Sequence, residues 1–153
     1  MKNTQALLIL VVLVVAVVAL LLWPRSTPET DPNIVSASGM HWHPELAIYA
    51  KGERMEIPEN VGIGSMHAGM PGYDASMQMA AMHTHDASGI IHLEFARGPV
   101  YQDDIKLGQF FAMWGKDMRS FGQNMRMMVN GVENADYENY LMQDGDKIEL
   151  QYE

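Results

Sequence analysis

Residues 77–95 read Met-Gln-Met-Ala-Ala-Met-His-Thr-His-Asp-Ala-Ser-Gly-Ile-Ile-His-Leu-Glu-Phe and hold three of the chain's six histidines and three of its fourteen methionines. Asp86-Ala-Ser-Gly89 is a turn signal between two short runs, which predicts a hairpin with His83 opposite His92 and His85 opposite Ile90. Side chains alternate along a strand, so His83, His85, His92 and Glu94 are expected on one face and Ile91, Leu93 and Phe95 on the other. An earlier stretch repeats the arrangement: His41, His43 and Glu45 alternate on the polar side of a predicted strand over residues 41–50. Neutral imidazole binds zinc, copper, nickel and ferrous iron, and two histidines at i and i+2 of a strand can face one ion. The expected chemistry is metal ligation by His41, His43, His83 and His85, with His92 completing or supporting the site. Glu45, Asp86 and Glu94 are expected to orient imidazole N–H groups from behind.

The methionines decide between metals. Met40 precedes His41, and Met66-His67-x-x-Met70 and Met77-x-Met79-x-x-Met82-His83 follow. A thioether is a soft neutral ligand that suits Cu(I), imidazole serves Cu(I) and Cu(II) alike, and zinc makes little use of methionine. Met66, Met70, Met77, Met79 and Met82 are therefore expected to form a soft capture loop that recruits His67, with copper as the metal and zinc as the alternative. Their neighbours are Gly, Ser, Pro, Gln and Ala, which supply no apolar stripe for them to join. Met55, Met113, Met118, Met125, Met127, Met128 and Met142 are read instead as adaptable core fillers.

These ligands need elements to hold them. Residues 1–5 are polar, and residues 6–23 are an unbroken apolar run, about 27 Å long as a helix and so able to cross a bilayer core of about 30 Å. The expectation is a transmembrane anchor with residues 1–5 cytoplasmic. Leu20-Leu-Leu-Trp-Pro24 stands where a cleaved signal peptide would carry small residues. Residues 24–38 contain Pro24, Pro28 and Pro32 and read as a linker, and residues 39–153 as an extracytoplasmic α+β domain with a Met/His-rich insert over 61–95. Within it, residues 61–73 read as a loop and 73–82 as a short helix. Lys51-Gly-Glu53 and Asn130-Gly131 are hairpin turns. Leu107, Phe110, Phe111 and Trp114 fall at helical spacing, with Asp103 or Asp104 as N-cap and Gly115 as stop. Residues 126–129 and 147–152 read as strands. The ending resembles a β-grasp domain, a small mixed sheet crossed by one main helix, a likeness that implies topology and no activity.

Composition narrows the function. There are no cysteines, so disulfides, thiolate metal sites and cysteine nucleophiles are excluded. Nineteen acidic against ten basic residues, a formal charge of −9, speak against nucleic acid and favour cationic partners. The chain lacks a nucleophile elbow and a phosphate-binding glycine loop. It also has too few strands for a double-sheet barrel and too few residues for a hydrolase barrel.

His41-x-His43-x-x-Leu46-x-Ile48, Ile57-Pro-x-Asn60-Val-Gly-Ile63, His83-Thr-His-Asp86…Gly89-Ile-Ile-His-Leu-Glu94 and Leu107-Gly-Gln-Phe-Phe111…Trp114-Gly115 together resemble a family of uncharacterised secreted or membrane-anchored prokaryotic proteins. The resemblance covers residues 41–115. It implies the domain limits and the importance of the histidine pairs and names no reaction. Where that family has Leu, this chain has Met82. The reading is a single-pass membrane protein whose C-terminal domain, periplasmic or extracellular, binds, stores or delivers copper, with a metal-donating or metal-accepting protein as a further partner. A non-catalytic interaction module and a small mononuclear metalloenzyme stay open as alternatives.

Overall fold

Residues 24–38 are expected as a linker, yet Ile34–Ser36 (β1) pairs antiparallel with Val100–Tyr101 (β7). The folded unit therefore begins earlier than residue 39, at Pro32. The computed structural model describes Leu13 and residues 31–153. Apart from Leu13, the expected anchor over residues 6–23 lies outside the described residues, as do the residues 1–5 expected to be cytoplasmic and residues 24–30 of the linker. Among those described, no helix is long and apolar enough to cross a membrane.

The alternating stretch 41–50 forms two strands where one is expected, Met40–Trp42 (β2) and Glu45–Ala50 (β3). His43-Pro44 separates them. Proline has no N–H for a ladder, and the chain changes sheets there. β2 joins a three-stranded antiparallel sheet with His92–Phe95 (β6) in the centre and Met82–His83 (β5) beyond it. β3 enters a five-stranded sheet with Glu53–Met55 (β4), Arg126–Val129 (β8), Val132–Asn134 (β9) and Lys147–Tyr152 (β10), in the order β4-β3-β10-β8-β9. The central pair, β3 and β10, is parallel, and the outer pairs are antiparallel hairpins. Both hairpin turns carry two residues at positive φ, Lys51 and Gly52 at 54° and 81°, and Asn130 and Gly131 at 51° and 79°. That is the twist-matching geometry a two-residue connection needs.

The helix is Leu107–Trp114 (α1), shorter than the expected span because Gln102–Ile105 forms a separate 3-10 turn. The N-cap of α1 is Lys106, which makes no side-chain cap bond, and not the expected Asp103 or Asp104; Asp104 instead accepts from the Tyr101 N–H at 2.9 Å within the 3-10 turn, and Gly115 closes α1 in the left-handed region at φ 72°. Leu107, Phe110 and Phe111 enter one core with Leu46 and Ile48 of β3, Met127 of β8 and Ile148 and Leu150 of β10. Each such side chain contributes roughly 1.5–3 kcal/mol by leaving water. Leu93, Phe95, Ile91 and Met82 bring the apolar side of the smaller sheet into the same core. Residues 73–82 form no helix. The Asp74 side chain accepts from the Ser76 N–H at 2.7 Å and hydroxyl at 2.6 Å, and Met79 bridges to both Asp74 and Ile63. Such local side-chain bonds compete with a helix nucleus.

Candidate metal centre

His83 is the anchor. Its side chain is fully buried on β5, on the face opposite the core, and its ring Nδ1 donates to the Ala80 carbonyl at 2.9 Å. A carbonyl only accepts, so that bond places the proton on Nδ1 and leaves Nε2 with a free lone pair. The lone pair faces His85 Nε2 at 3.2 Å. Two nitrogens bound to one tetrahedral ion at about 2.0–2.1 Å stand roughly 3.3 Å apart. The His83–His85 spacing is therefore that of two ligands sharing an ion.

Register supplies the third ring. His83 pairs directly with His92 across β5 and β6, as the hairpin reading expects, and the two rings stack at 5.2 Å. His85 does not pair with Ile90. Thr84 is diverted by a clamp of its own, its hydroxyl donating to the Pro58 carbonyl at 2.8 Å and accepting from the Val61 N–H at 3.1 Å. Ile90 bridges to Glu45 instead. His85 thus leaves the strand, and its ring returns over His92 at 4.6 Å. His83, His85 and His92 form one group whose ligand atoms lie within 4.8 Å of one another.

The strand break at Pro44 positions a second group. β2 pairs His41 with Glu94 of β6, and the His43 N–H is held by Asp144 at 2.8 Å. His41, His43 and Glu94 also have their ligand atoms within 4.8 Å. Both groups have the composition to hold a metal ion. They meet at Glu94, whose Oε1 accepts from His92 Nδ1 at 3.2 Å and faces His41 Nε2 at 3.1 Å. The expected single site of four histidines, His41, His43, His83 and His85, is thus two groups of three, with His92 a full member of one and Glu94 of the other.

Other expected site residues fall elsewhere. Met82 pairs with Leu93 and is buried in the core, because alternation sends it to the side away from His83. Glu45 forms an ion pair with Lys147 on the neighbouring strand. Asp86 accepts from the Ser88 N–H at 2.9 Å and holds its own turn. His67 and Met66 lie in a 3-10 turn over Ser65–His67, where His67 joins neither group and Met66 is exposed, and the Met70 N–H donates to the His67 carbonyl at 2.9 Å. Met77 and Met79 share a groove with two members of the second group. With Met40 they line an open groove of about 500 Å³ that also exposes His41, Glu94 and Asp74. Sequence reasoning missed Met40 as a groove residue and the Ala80 carbonyl as the group that orients His83. The position of Met40 directly before His41 was a signal for the first, whereas nothing in the residue types marks a backbone carbonyl.

Burial, followed by the neighbouring imidazoles, lowers the pKa of His83 and of His92 from the ordinary 6.5. Both rings are neutral near pH 7, the form that ligates. Burial would raise the Glu94 carboxyl, but the bond from His92 and the neighbouring imidazoles outweigh it and hold the group below 4.5. For all three the unfolded chain takes up protons first, so their contribution is complete above the unfolded pKa and is lost as pH falls. The metal-free protein is therefore expected to lose stability below about pH 6.5 as His83 and His92 are forced to charge, and again below about 4.5 with Glu94. Urea midpoints at pH 7.5, 5.5 and 4 measure this, and a flat profile would contradict it.

Comparison of the chain with protein family models, curated proteins and solved structures finds no match in any of the three. The functional reading therefore rests on the geometry.

Proposed function

We propose that the chain is a membrane-tethered, extracytoplasmic protein that binds copper through His83, His85 and His92 and holds it or passes it on. The observation that carries this is the 3.2 Å approach of two imidazole Nε2 atoms, one of them on a ring whose proton the Ala80 carbonyl holds at Nδ1. Three neutral nitrogens suit both copper oxidation states and zinc. The thioethers of Met40, Met77 and Met79 in the groove beside His41 and Glu94 favour Cu(I) as the ion that arrives there. The tether is read from the apolar residues 6–23. The parallel central pair, the flanking hairpins and the helix α1 support a β-grasp topology for the larger sheet. Membership of the prokaryotic family sharing the His-x-His motifs belongs to the same reading.

The test is titration of the detergent-solubilised full chain with Cu(I), Cu(II) and Zn(II), against competing chelators of known affinity. Tight stoichiometric Cu(I) uptake is expected. A Met77→Leu, Met79→Leu double variant should take up Cu(I) from a chelator about tenfold more slowly while its zinc uptake is unchanged, since the thioethers line the groove by which the ion arrives and only the soft ion uses sulfur. Equal slowing for both ions would remove the argument for copper. No uptake of any of the three ions would leave an anchored interaction module, the reading the histidines would then have to serve structurally.

A further inference from the structure

The second group has a donor set unlike the first. Where His83, His85 and His92 offer three neutral nitrogens, His41, His43 and Glu94 offer two nitrogens and a carboxylate, a harder set that suits a divalent borderline cation. It is also placed differently. The first group is rooted in a fully buried ring, while the His41 side chain is 66% exposed and that of Glu94 32%. The two sets are too close to be independent, because the His43 and His92 rings meet edge to face at 4.8 Å and one carboxylate oxygen serves both His92 and His41.

We infer that His41, His43 and Glu94 form a second metal site for a divalent cation, so that the centre holds two ions, one anchored and one exchangeable, linked through Glu94 as a ligand of the second and the hydrogen-bond partner of His92 at the first. This rests on the metal-binding reading of the first group. The shared carboxylate does two jobs: it orients His92 toward the anchored ion through Nδ1, and it gives the second ion the one negative ligand of its set. Its charge also lessens the repulsion between neighbouring cations, which at such separations is otherwise considerable. A second ion held by exposed side chains exchanges with solvent faster than one whose ligand is fixed inside the fold. Glu94 is thereby the residue on which occupancy of one site is felt by the other.

Zn(II), which has no redox chemistry, is the probe. The full chain is loaded, dialysed, and its zinc counted by elemental analysis, with stepwise affinities from calorimetry. Two ions per chain are expected, the second bound at least about 100-fold more weakly than the first. His41→Ala with His43→Ala should leave one ion at the first affinity. Glu94→Gln keeps an oxygen to accept from His92 but loses the charge, so it too should retain the first ion and lose the second. His85→Ala should lose the first and keep the weaker one. One zinc in the wild-type chain, lost alike in every variant, would mean a single shared site and overturn the inference while leaving metal binding intact. Two ions persisting in the His41→Ala, His43→Ala chain would overturn it by placing the second ion elsewhere. No zinc in any chain would take down this inference and the binding reading together.

Discussion

Replacing His83 by Ala is expected to remove the tightly held ion and about 2–4 kcal/mol of folding stability at once, whereas His85→Ala should remove the ion and leave stability within about 0.5 kcal/mol. The contrast follows from where each ring sits. His83 is fully buried and fills space between Ala80 and the stacked ring of His92, so its truncation opens a cavity and leaves the Ala80 carbonyl without its donor. His85 stands exposed after the strand, and its ring nitrogen bonds only the ring of His83. Loss of an orienting group behind a ligand commonly costs 10- to 100-fold in metal affinity, so loss of a ligand itself should cost more than about 100-fold. Urea unfolding of the metal-free chains and competition titration of the loaded ones measure the two effects separately. A His83→Ala chain that still binds its ion with wild-type affinity would show that the His83–His85 contact is an ordinary hydrogen bond between two imidazoles.

The pairing of His83 with His92 was legible because it needs only a turn signal and strict alternation on either side. The same alternation should have removed Met82 from the ligands, since neighbours on a strand point to opposite faces and Met82 stands beside His83. There the count of methionines outweighed the rule of the strand. The division of residues 41–50 was also foreshadowed by Pro44, but alternation on both sides of a proline looks continuous, and only tertiary pairing tells that β2 and β3 serve different sheets. That division is what places His41 and His43 beside Glu94. The departure of His85 from its strand was not legible. It depends on Thr84 finding Pro58 and Val61, residues more than twenty positions away. Nor could residue types foretell that Glu45 would meet Lys147, which lies 102 residues along the chain and beside it in the parallel pair. Local rules place strands and turns, whereas a site assembled from three strands depends on which edges meet.

The loop between His85 and His92 is held against the larger sheet at several points, and its closest approach, at Gly89, carries the second large effect. Gly89 lies at φ 93°, its carbonyl accepts from the Leu46 N–H at 2.8 Å, and a Cβ placed on it would stand 2.2 Å from the Leu46 carbonyl oxygen. Backbone has to move to admit even a methyl group. Gly89→Ala is therefore expected to cost about 3 kcal/mol or more: about 1–2 for a side chain in the left-handed region, and the rest from parting the loop and β3. Gly52→Ala provides the control, because Gly52 is also at positive φ, 81°, yet a Cβ there meets nothing within 4 Å. It should cost only the conformational share, about 1–2 kcal/mol. The difference between the two variants in urea unfolding isolates the close approach. Because Ile90 and Ile91 follow Gly89 onto Glu45 and Pro44, the same displacement moves His92 relative to His43, and the Gly89→Ala chain should also bind its ions more weakly while the Gly52→Ala chain binds them normally. Equal stability losses in the two variants would mean that the loop is not pinned to β3, and that the fold does not fix the distance between the two histidine groups.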